Sequence, residues 1–478
     1  MRAPRERIRT PAWAATALAL ALAGCALQPL PEPKETLGQA MPGLAVPDSW
    51  PTLGATSGTL LGDPWLALFR DAGLEAFVAE VLANNPDLKV AAARVEVAAA
   101  SVKAAGATLY PQVTLMARGG GTMSGDSSGL QGGGIFANWE IDLWGRVRAA
   151  RDAASLQYES AALDTEYARQ SLAALAAKSW FLAIEARGQK AIATDMVAAA
   201  GRLVSLARDR LRVGPGDDFD LRQAEANLQT FRDALAQVEL AEKQSLRALE
   251  SLAGRFPAAA IAVTPELPAL PGPVPVGLPS ELLERRPDVV AALRRVGLAF
   301  RQVEEAQAAR LPRIALTASV TNVTSELFVL KERDNPIWSA GANLAAPLFL
   351  GGALEAQVEG RTAEQKAAIA DYGRIGSRAF AEVESALSSG FYLDGRNAFL
   401  EQAAAENERA LRLAEVRYRV GSADLRAVQQ QQIALQSSRA SLLRVRSERL
   451  VQRVNLHLAL GGGFGAPPAP APSASAAR

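Results

Sequence analysis

The spacing of hydrophobic and polar residues predicts four short strands in a chain that is otherwise mostly helical. Apolar residues alternate with small or polar residues cleanly over 314–320 and less cleanly over 113–117, which is the period of a β-strand. Each segment is followed by a Gly-rich or polar stretch and then by a weaker apolar segment, at 132–143 and 337–348. The pattern therefore predicts two β-hairpins.

The longest stretches of the chain are Ala-rich and keep the spacing of a helix. Small and apolar residues recur every three or four positions over 168–186, as in a coiled-coil seam. A second seam over 433–454 is weaker, because Gln436 and Ser447 occupy two of its positions. An ordinary helical bundle gives the same local pattern, but an uninterrupted helix over 155–211 is longer than globular helices usually are. Long coiled-coil helices are the prediction.

The chain contains an internal repeat with a spacing of roughly 200 residues. "NNPDLKVAAARVEVAAASVKAAGATLYPQVTL" resembles "RRPDVVAALRRVGLAFRQVEEAQAARLPRIAL", "ANWEIDLWGRVRAA" resembles "GANLAAPLFLGGALEA", and "RLRVGPGDDFDLRQAEANL" resembles "RYRVGSADLRAVQQQQIAL". These pairs begin at Asn84 and Arg285, Ala137 and Gly341, and Arg210 and Arg417. Each half is predicted to be a helix, a hairpin, a long helix, a tight turn and a helix.

A stretch rich in Pro and Ala separates the two halves and reads as a linker. The predicted organisation is a signal peptide at 1–24, an N-terminal segment at 25–83, a first repeat at 84–254, the linker at 255–284, a second repeat at 285–460 and a disordered tail at 461–478.

The N-terminus carries the pattern of a bacterial lipoprotein. Residues 1–10 are basic, residues 12–23 are apolar, and the run is too short to span a bilayer. The sequence from Leu22 to Cys25, Leu-Ala-Gly-Cys, resembles the lipobox, and Cys25 is the only cysteine of the chain. The resemblance implies N-palmitoyl and S-diacylglycerol groups on Cys25, and Ala26 after it implies sorting to the outer membrane. A signal peptide with an accidental cysteine is the alternative.

Composition argues against several classes of function. The net charge is +1, with 51 basic and 50 acidic residues, so no nucleic-acid partner is expected. With one histidine, one cysteine and five methionines, no Cys/His metal site is expected within a protomer. The histidine, His457, lies in a helical stretch and is not expected to be catalytic. No stretch after Cys25 is apolar enough for a transmembrane helix. We therefore expect neither an enzyme nor a cofactor.

Four strands of membrane-crossing length cannot close a barrel, and an open edge in lipid leaves unsatisfied backbone groups. Strands from several protomers would have to be pooled. Two protomers would give eight strands around a filled interior, and three would give twelve strands around a lumen. The residues alone leave both numbers open.

Two further motifs, "LPSELLERRPDV" from Leu278 and "WEIDLWGRVRAARDAA" from Trp139, together with the repeat and the lipobox, resemble the TolC-like outer membrane factor family. More narrowly, the motifs resemble the NodT-type efflux lipoprotein branch, and the resemblance covers about 50–460. The resemblance implies a mainly α fold with a transmembrane β part: a homotrimer with a twelve-stranded barrel, a periplasmic α-helical barrel and a mixed equatorial belt. It also implies that residues 25–83 are a lipidated N-terminal segment and equatorial region. It implies an outer membrane exit duct of a tripartite efflux system in a Gram-negative bacterium, anchored to lipid. The implied partners are a periplasmic adaptor (membrane fusion protein) and an inner-membrane transporter of the resistance-nodulation-division (RND) class.

The same resemblance implies site residues near two periplasmic helix turns. The adaptor-contact tips are Arg212, Val213, Gly214, Arg419, Val420 and Gly421. Leu425 and Gln429 correspond to the family's pore gate, where Leu425 keeps the apolar residue and Gln429 stands at an acidic position. Amides attract cations less than carboxylates do, which counts against cation-controlled gating. Asp220 and Arg419 are candidates for a polar lock between the tips.

Two other functions remain as alternatives. The same duct serves type I protein secretion in some family members, although the lipobox and the NodT-like motifs count against this. A structural lipoprotein could instead tether the envelope through a coiled coil, but it would not need the repeated hairpins. The exported substrate, whether drug, solvent, metal ion or signalling molecule, cannot be read from the sequence.

Overall fold

The computed structural model describes residues 29–51, 65–118, 131–214, 216–324 and 336–462. The helices are α1 (Pro33–Ala40), α2 (Ala72–Asn84), α3 (Pro86–Ala107), α4 (Arg146–Val213), α5 (Asp218–Leu252), α6 (Leu282–Arg285), α7 (Pro287–Ala308), α8 (Ala353–Arg419) and α9 (Leu425–Ala459), with 3₁₀ turns at Trp65–Phe69 and Pro279–Glu281. The strands are β1 (Gln112–Arg118), β2 (Gln131–Ile141), β3 (Arg313–Thr324) and β4 (Ile337–Ala345). Cys25, the predicted signal peptide and nearly all of the predicted tail lie outside the described residues.

The structure contains the two similar halves that the sequence predicts. α3 and α7 have 22 residues each, α4 and α8 have 68 and 67, and α5 and α9 have 35 each. α4 begins earlier than the predicted start at residue 155, because the Asp142 carboxylate accepts hydrogen bonds from the amides of Val147 and Arg148 and so caps its first turn. The repeat is therefore a repeat of whole secondary-structure units.

The chain divides into two compact units that cut across the repeats. Unit 1 comprises residues 1–44, 92–164 and 290–375, and unit 2 comprises residues 45–91, 165–289 and 376–478. Each unit takes segments from both halves of the chain.

In unit 1, α1 packs closely against α8. The Tyr372 hydroxyl donates to the Pro33 carbonyl at 3.3 Å, and burial raises the pKa of Tyr372 to about 12. A side chain at Gly373 would place its Cβ 2.6 Å from the Ala40 Cβ, so only glycine allows this approach. The chain that follows the predicted lipidation site is thus fixed to the helices of unit 1.

The core of unit 2 is built around a buried carboxylate, that of Asp71. Its oxygens accept the amides of Gly73 and Leu74 at the start of α2, the indole N–H of Trp180 at 3.0 Å and the hydroxyl of Thr264 at 3.2 Å. Because every partner is a donor, the charge is satisfied although only 6% of the residue is exposed. This one side chain joins α2, α4 and the segment between the repeats.

The segment predicted as a linker, residues 255–284, is part of this core. Val263, Val274 and Val276 are buried. The Glu250 carboxylate accepts the amides of residues 259–261 at 2.6–3.0 Å. Burial raises the pKa of Glu250, but these amides lower it by more, so the carboxylate is held ionised. The segment therefore connects the two repeats while packing against the core, where its amides have hydrogen-bond partners.

Arg286, within the motif "ERRPDV", is 1% exposed and joins three elements of unit 2. Its guanidinium donates to Asp288 at 3.0 and 2.8 Å, to Glu382 on α8 at 2.7 Å and to the Ala459 carbonyl at the end of α9 at 3.2 Å. Burial lowers the pKa of Arg286, but the two carboxylates raise it by more, so the residue stays charged. Gly461 must be a glycine here, since its φ is +71° and a Cβ would lie 3.2 Å from the Arg286 Cα.

The seam between α8 and α9, predicted to be weak, is supplemented by ion pairs. Four arginine–carboxylate pairs cross between the two helices at 2.7–3.3 Å: Arg449–Asp394, Arg446–Glu401, Arg439–Glu408 and Arg396–Glu448. Each exposed pair contributes little alone, roughly 0–1 kcal/mol. Together they fix the register of helices whose apolar seam is interrupted by polar residues.

His457 is buried in unit 2 and stacks on Trp65, with 5.5 Å between ring centroids. Burial, and then the nearby charge of Arg453, lower the pKa of His457 to about 4 from an ordinary value of 6.5. The unfolded chain therefore binds more protons than the folded one between these two pH values. The contribution of neutral His457 to the free energy of unfolding is fully present above pH 6.5 and is lost as the pH decreases towards 4.

We expect the wild-type protein to lose about 2 kcal/mol more stability between pH 7 and pH 4.5 than a His457→Phe variant. Phenylalanine keeps the ring against Trp65 but cannot take up a proton. The comparison is made by thermal or denaturant unfolding in detergent at both pH values. Equal losses in the two proteins would show that His457 does not carry the acid sensitivity.

Candidate functional site: a two-faced sheet and paired helix tips

The four strands form one antiparallel sheet in the order β1-β2-β3-β4. Trp139 lies opposite Leu316, and Leu316 lies opposite Ala342, so the register is continuous across β2, β3 and β4. β1 and β4 are the outer strands, and each has one neighbour in the described part of the chain. Their outer backbone groups are available to another chain.

One face of the sheet is entirely apolar across the part where the other strands align with residues 314–320 of β3. Side chains alternate between the two faces of a strand, so the register assigns each residue to a face. The apolar face carries Val113, Leu115, Ile135, Ala137, Trp139, Ile141, Ile314, Leu316, Ala318, Val320, Trp338, Ala340, Ala342 and Leu344. Leu115, Trp338 and Leu344 are 78%, 76% and 69% exposed. A surface of this kind is not stable against water and fits a hydrocarbon environment.

The opposite face is mostly polar or small. It carries Gln112, Thr114, Asn138, Glu140, Arg313, Thr317, Ser319, Thr321, Ser339 and Asn343, with the larger apolar residues Met116, Phe136 and Ile337 towards the loop ends. The hydroxyls of Ser319 and Ser339 bond to each other at 2.7 Å across β3 and β4. Apolar side chains on one face and polar side chains on the other are typical of strands between lipid and a wet interior.

Just after the C-terminal ends of α4 and α8, the chain turns at a glycine in the left-handed region. Gly214 has φ +103° and Gly421 has φ +81°, which only glycine adopts without steric cost. The Gly214 amide donates to the Arg210 carbonyl at 3.1 Å, and the Ser422 amide donates to the Arg417 carbonyl at 2.9 Å. The turns thus satisfy the last carbonyls of both helices.

The six predicted tip residues are all exposed. Val213 and Val420 are 75% and 73% exposed, which is unusual for valine. Arg212 pairs with Asp209 at 3.1 Å on its own helix, with both side chains largely in solvent. The tips therefore present two apolar side chains flanked by arginines.

Arg210 joins the two tips, and sequence analysis did not single it out. Its guanidinium donates to the Tyr418 carbonyl at 2.5 Å and lies 4.5 Å from the centroid of the Tyr418 ring. Tyr418 is 2% exposed. Both repeats have an arginine four residues before the tip glycine, and this match is visible in the sequence. Only the fold shows that the arginine of α4 contacts α8.

Leu425 and Gln429 are buried within the protomer. Leu425 is 0% exposed and packs with Leu203, Val204 and Leu221 among others. Gln429 is 6% exposed, and its Nε2 has no hydrogen-bond partner among the described residues. In the protomer, the start of α9 turns these side chains towards α4 and α5. Their assignment to a pore gate stays a prediction.

Asp220 lies near the tips, close to Arg210. Burial and the charge of Asp217 raise the pKa of Asp220, and the charge of Arg210 opposes them. Within the described residues no ion pair joins Asp220 to Arg419. The Asp220–Arg419 lock stays a prediction.

The part of the chain that the structure describes contains no group of three or more His, Cys, Asp or Glu residues arranged to hold a metal ion. Across the same residues, no helix is both apolar enough and long enough to span a membrane.

The sequence model of the outer membrane efflux protein family matches residues 77–255 and 278–462, which include both repeats. The chain belongs to the outer membrane efflux protein family. OpmQ of Pseudomonas putida, a pyoverdine export outer membrane protein, is 30% identical over 441 residues, covering 88% of this chain and 93% of OpmQ. CusC of Escherichia coli K12, a cation efflux system protein, is 27% identical over 466 residues, covering 93% of this chain and 98% of CusC.

Among solved structures, the open state of the MtrE outer membrane channel of Neisseria gonorrhoeae superposes with a TM-score of 0.77 at 25% sequence identity. The superposition covers 92% of this chain and 98% of MtrE. This outer membrane efflux protein thus has the TolC-like fold, and the predicted fold class, family, efflux function and outer membrane location are confirmed. The family is a transport family and not an enzyme family.

Proposed function

We propose that three copies of the chain pool their sheets into a twelve-stranded barrel, which forms the outer membrane exit duct of a tripartite efflux system. The observation that carries the proposal is the sheet, which has one apolar face, one polar face and two unpaired edges. In lipid each unpaired edge group costs several kcal/mol, so the edges of neighbouring copies must pair. Eight strands would fill their own interior, whereas twelve leave a lumen.

Lipid on Cys25 would anchor each protomer. N-palmitoyl and S-diacylglycerol groups supply more than one acyl chain, which stable anchoring requires. α1, fixed to α8 through Tyr372 and Gly373, would limit how far the anchor can move from the protein. The anchor is therefore part of the proposal, together with the outer membrane lipid that receives it.

The exposed tips fit a periplasmic adaptor, which would connect the duct to an inner-membrane transporter of the RND class. Val213 and Val420 offer apolar contacts, and Arg212 and Arg419 offer charge. We propose small molecules such as drugs as the cargo. OpmQ exports pyoverdine and CusC belongs to a cation efflux system, so relatives of this chain serve unlike cargo. The envelope-tether alternative gives no role to a sheet with an apolar face.

The duct is tested by planar-bilayer conductance of the purified wild-type protein beside Arg210→Ala and Arg212→Ala. We expect the wild type to conduct weakly, because its tips are joined. Arg210→Ala removes the contact with Tyr418 and should raise the conductance. Arg212→Ala, two residues away on the same helix, removes only an exposed pair with Asp209 and should behave as the wild type.

One result would contradict the duct itself, and another would contradict only the role given to Arg210. Absence of current from all three folded proteins would mean that the chain forms no duct. Equal conductance in the three proteins would mean that a duct exists but that Arg210 does not hold the tips together.

A further inference from the structure

Among the described residues of unit 1, the connection from β4 to α8 carries the two most exposed large apolar side chains. After β4, Leu348, Phe349 and Leu350 are 94%, 87% and 56% exposed. Gly351 and Gly352 follow with φ +61° and +84° and turn the chain into α8. Burying three such side chains is worth several kcal/mol, so they have a partner when the protein functions.

The first repeat has the same feature at the corresponding connection, between β2 and α4. Leu143 and Trp144 are 37% and 40% exposed, and Gly145 has φ +76°. The Trp144 indole N–H donates to the Pro312 carbonyl at 2.6 Å. Its only polar atom is satisfied within the protomer, so the exposed part of the ring is apolar.

The position of the two connections in the sheet indicates what covers them. β4 is an outer strand, so a neighbouring protomer could reach residues 348–350. β2 is an inner strand, between β1 and β3, and an edge-to-edge neighbour does not reach the connection that follows it. A single partner that covers both an inner and an outer strand must surround the sheet, and a lipid bilayer is such a partner.

The charge around the connections fits a lipid headgroup layer. Arg148 follows the first connection and pairs with Asp142 at 3.1 Å, with its own side chain 41% exposed. Arg310, which precedes β3, is 49% exposed, and its ion pair with Glu355 at the start of α8 is long, at 3.9 Å. Arg313 beside it is also exposed. Apolar side chains next to exposed arginines match the boundary between acyl chains and anionic phosphates.

We propose that these two connections, Leu143–Trp144 and Leu348–Leu350, insert into the periplasm-facing leaflet of the outer membrane and set the depth of the protein there. The proposal rests on the proposed function, since it requires the sheet to cross that membrane. An interfacial apolar segment lies roughly 5–10 Å below the headgroups. The same feature in both repeats would give each trimer six insertion points, a ring that resists tilting.

The single cysteine of the chain makes a direct test practical. In a Cys25→Ser background, Phe349→Cys is labelled with an environment-sensitive fluorophore, and the protein is reconstituted into phosphatidylethanolamine–phosphatidylglycerol vesicles. Quenching is measured with nitroxide lipids, labelled near the headgroup or near the chain end, and with aqueous iodide. Phe399→Cys is the matched control, because Phe399, on α8, is likewise a highly exposed phenylalanine, at 74%. Leu348→Cys repeats the test if the first variant fails to fold.

We expect the label at 349 to lose most of its emission to the headgroup nitroxide, less to the chain-end nitroxide and little to iodide, while the label at 399 responds to iodide. Quenching at 349 by iodide alone would overturn the proposal, and so would protection from both quenchers, which would place a neighbouring protomer there. A label at Ala318→Cys, on the apolar face of the sheet, distinguishes failure of this proposal from failure of the proposed function. If it too is untouched by nitroxide lipids, the sheet is outside the membrane and the proposed function fails as well.

Discussion

Arg286→Ala is expected to lower the free energy of unfolding by about 3–5 kcal/mol, the cost of breaking a buried ion pair. The substitution leaves Asp288 and Glu382 without their shared cation and the Ala459 carbonyl without its donor. Because these partners belong to three different elements of unit 2, their loss should loosen the start of α7, α8 and the end of α9 together. Denaturant unfolding in detergent, followed by near-ultraviolet circular dichroism, measures the change.

Arg285 provides the matched control, since it is the neighbouring arginine and is exposed. Arg285→Ala should change the stability by no more than about 0.5 kcal/mol. The stability lost in Arg286→Lys should be intermediate between the losses in Arg285→Ala and Arg286→Ala. An ammonium keeps the charge but cannot donate to Asp288, Glu382 and the Ala459 carbonyl in one plane. Similar losses for Arg285→Ala and Arg286→Ala would refute the assigned role.

Ala318→Arg is expected to prevent most of the protein from inserting, whereas Thr317→Arg should be tolerated. The two residues are adjacent on β3 and face opposite sides of the sheet. A lipid-facing arginine near the bilayer midplane costs about 2–4 kcal/mol. In a trimer the cost is paid three times, while an arginine on the polar face stays in contact with water.

The comparison is made by folding the two variants into lipid vesicles and measuring the protease-protected, heat-modifiable fraction. Both variants add the same charge to the same strand, so an effect of charge or of strand propensity alone would appear in both. Equal insertion, or a greater loss for Thr317→Arg, would mean that the faces of the sheet are assigned the wrong way round.

Alternation and internal repetition predict the four strands and the main helices of the two repeats, but not α1 and α2. The alternation over 314–320 predicted β3, and the match between the two halves located β2 and β4, whose own patterns are weak. Long helices were expected from heptad spacing, and the structure extends the first of them back to Arg146. Local periodicity carries this information because both hairpins and coiled coils are made of short-range patterns.

What the sequence could not predict depends on contacts between distant segments. The stretch 255–284 resembles a linker in composition, yet the Glu250 carboxylate and the Asp71 network order it. The packing of Leu425 against α4 and α5 is likewise a contact between distant segments that the local sequence does not show. Arg210 was missed because its partner, Tyr418, is some 200 residues away in the chain and adjacent only once both long helices end together.

We propose that the polar face of the sheet lines a water-filled lumen. The test is whether charged reagents reach single cysteines on this face while the current through the channel is recorded. Thr317→Cys and Ala318→Cys are each introduced into a Cys25→Ser, Arg210→Ala background and recorded in planar bilayers, and a cationic or an anionic methanethiosulfonate is added in separate recordings, because each thiol reacts only once. We predict that the Thr317→Cys current changes in opposite directions with the two reagents, while the Ala318→Cys current does not change. A response at 318 and none at 317, or no current in either protein, would contradict the account.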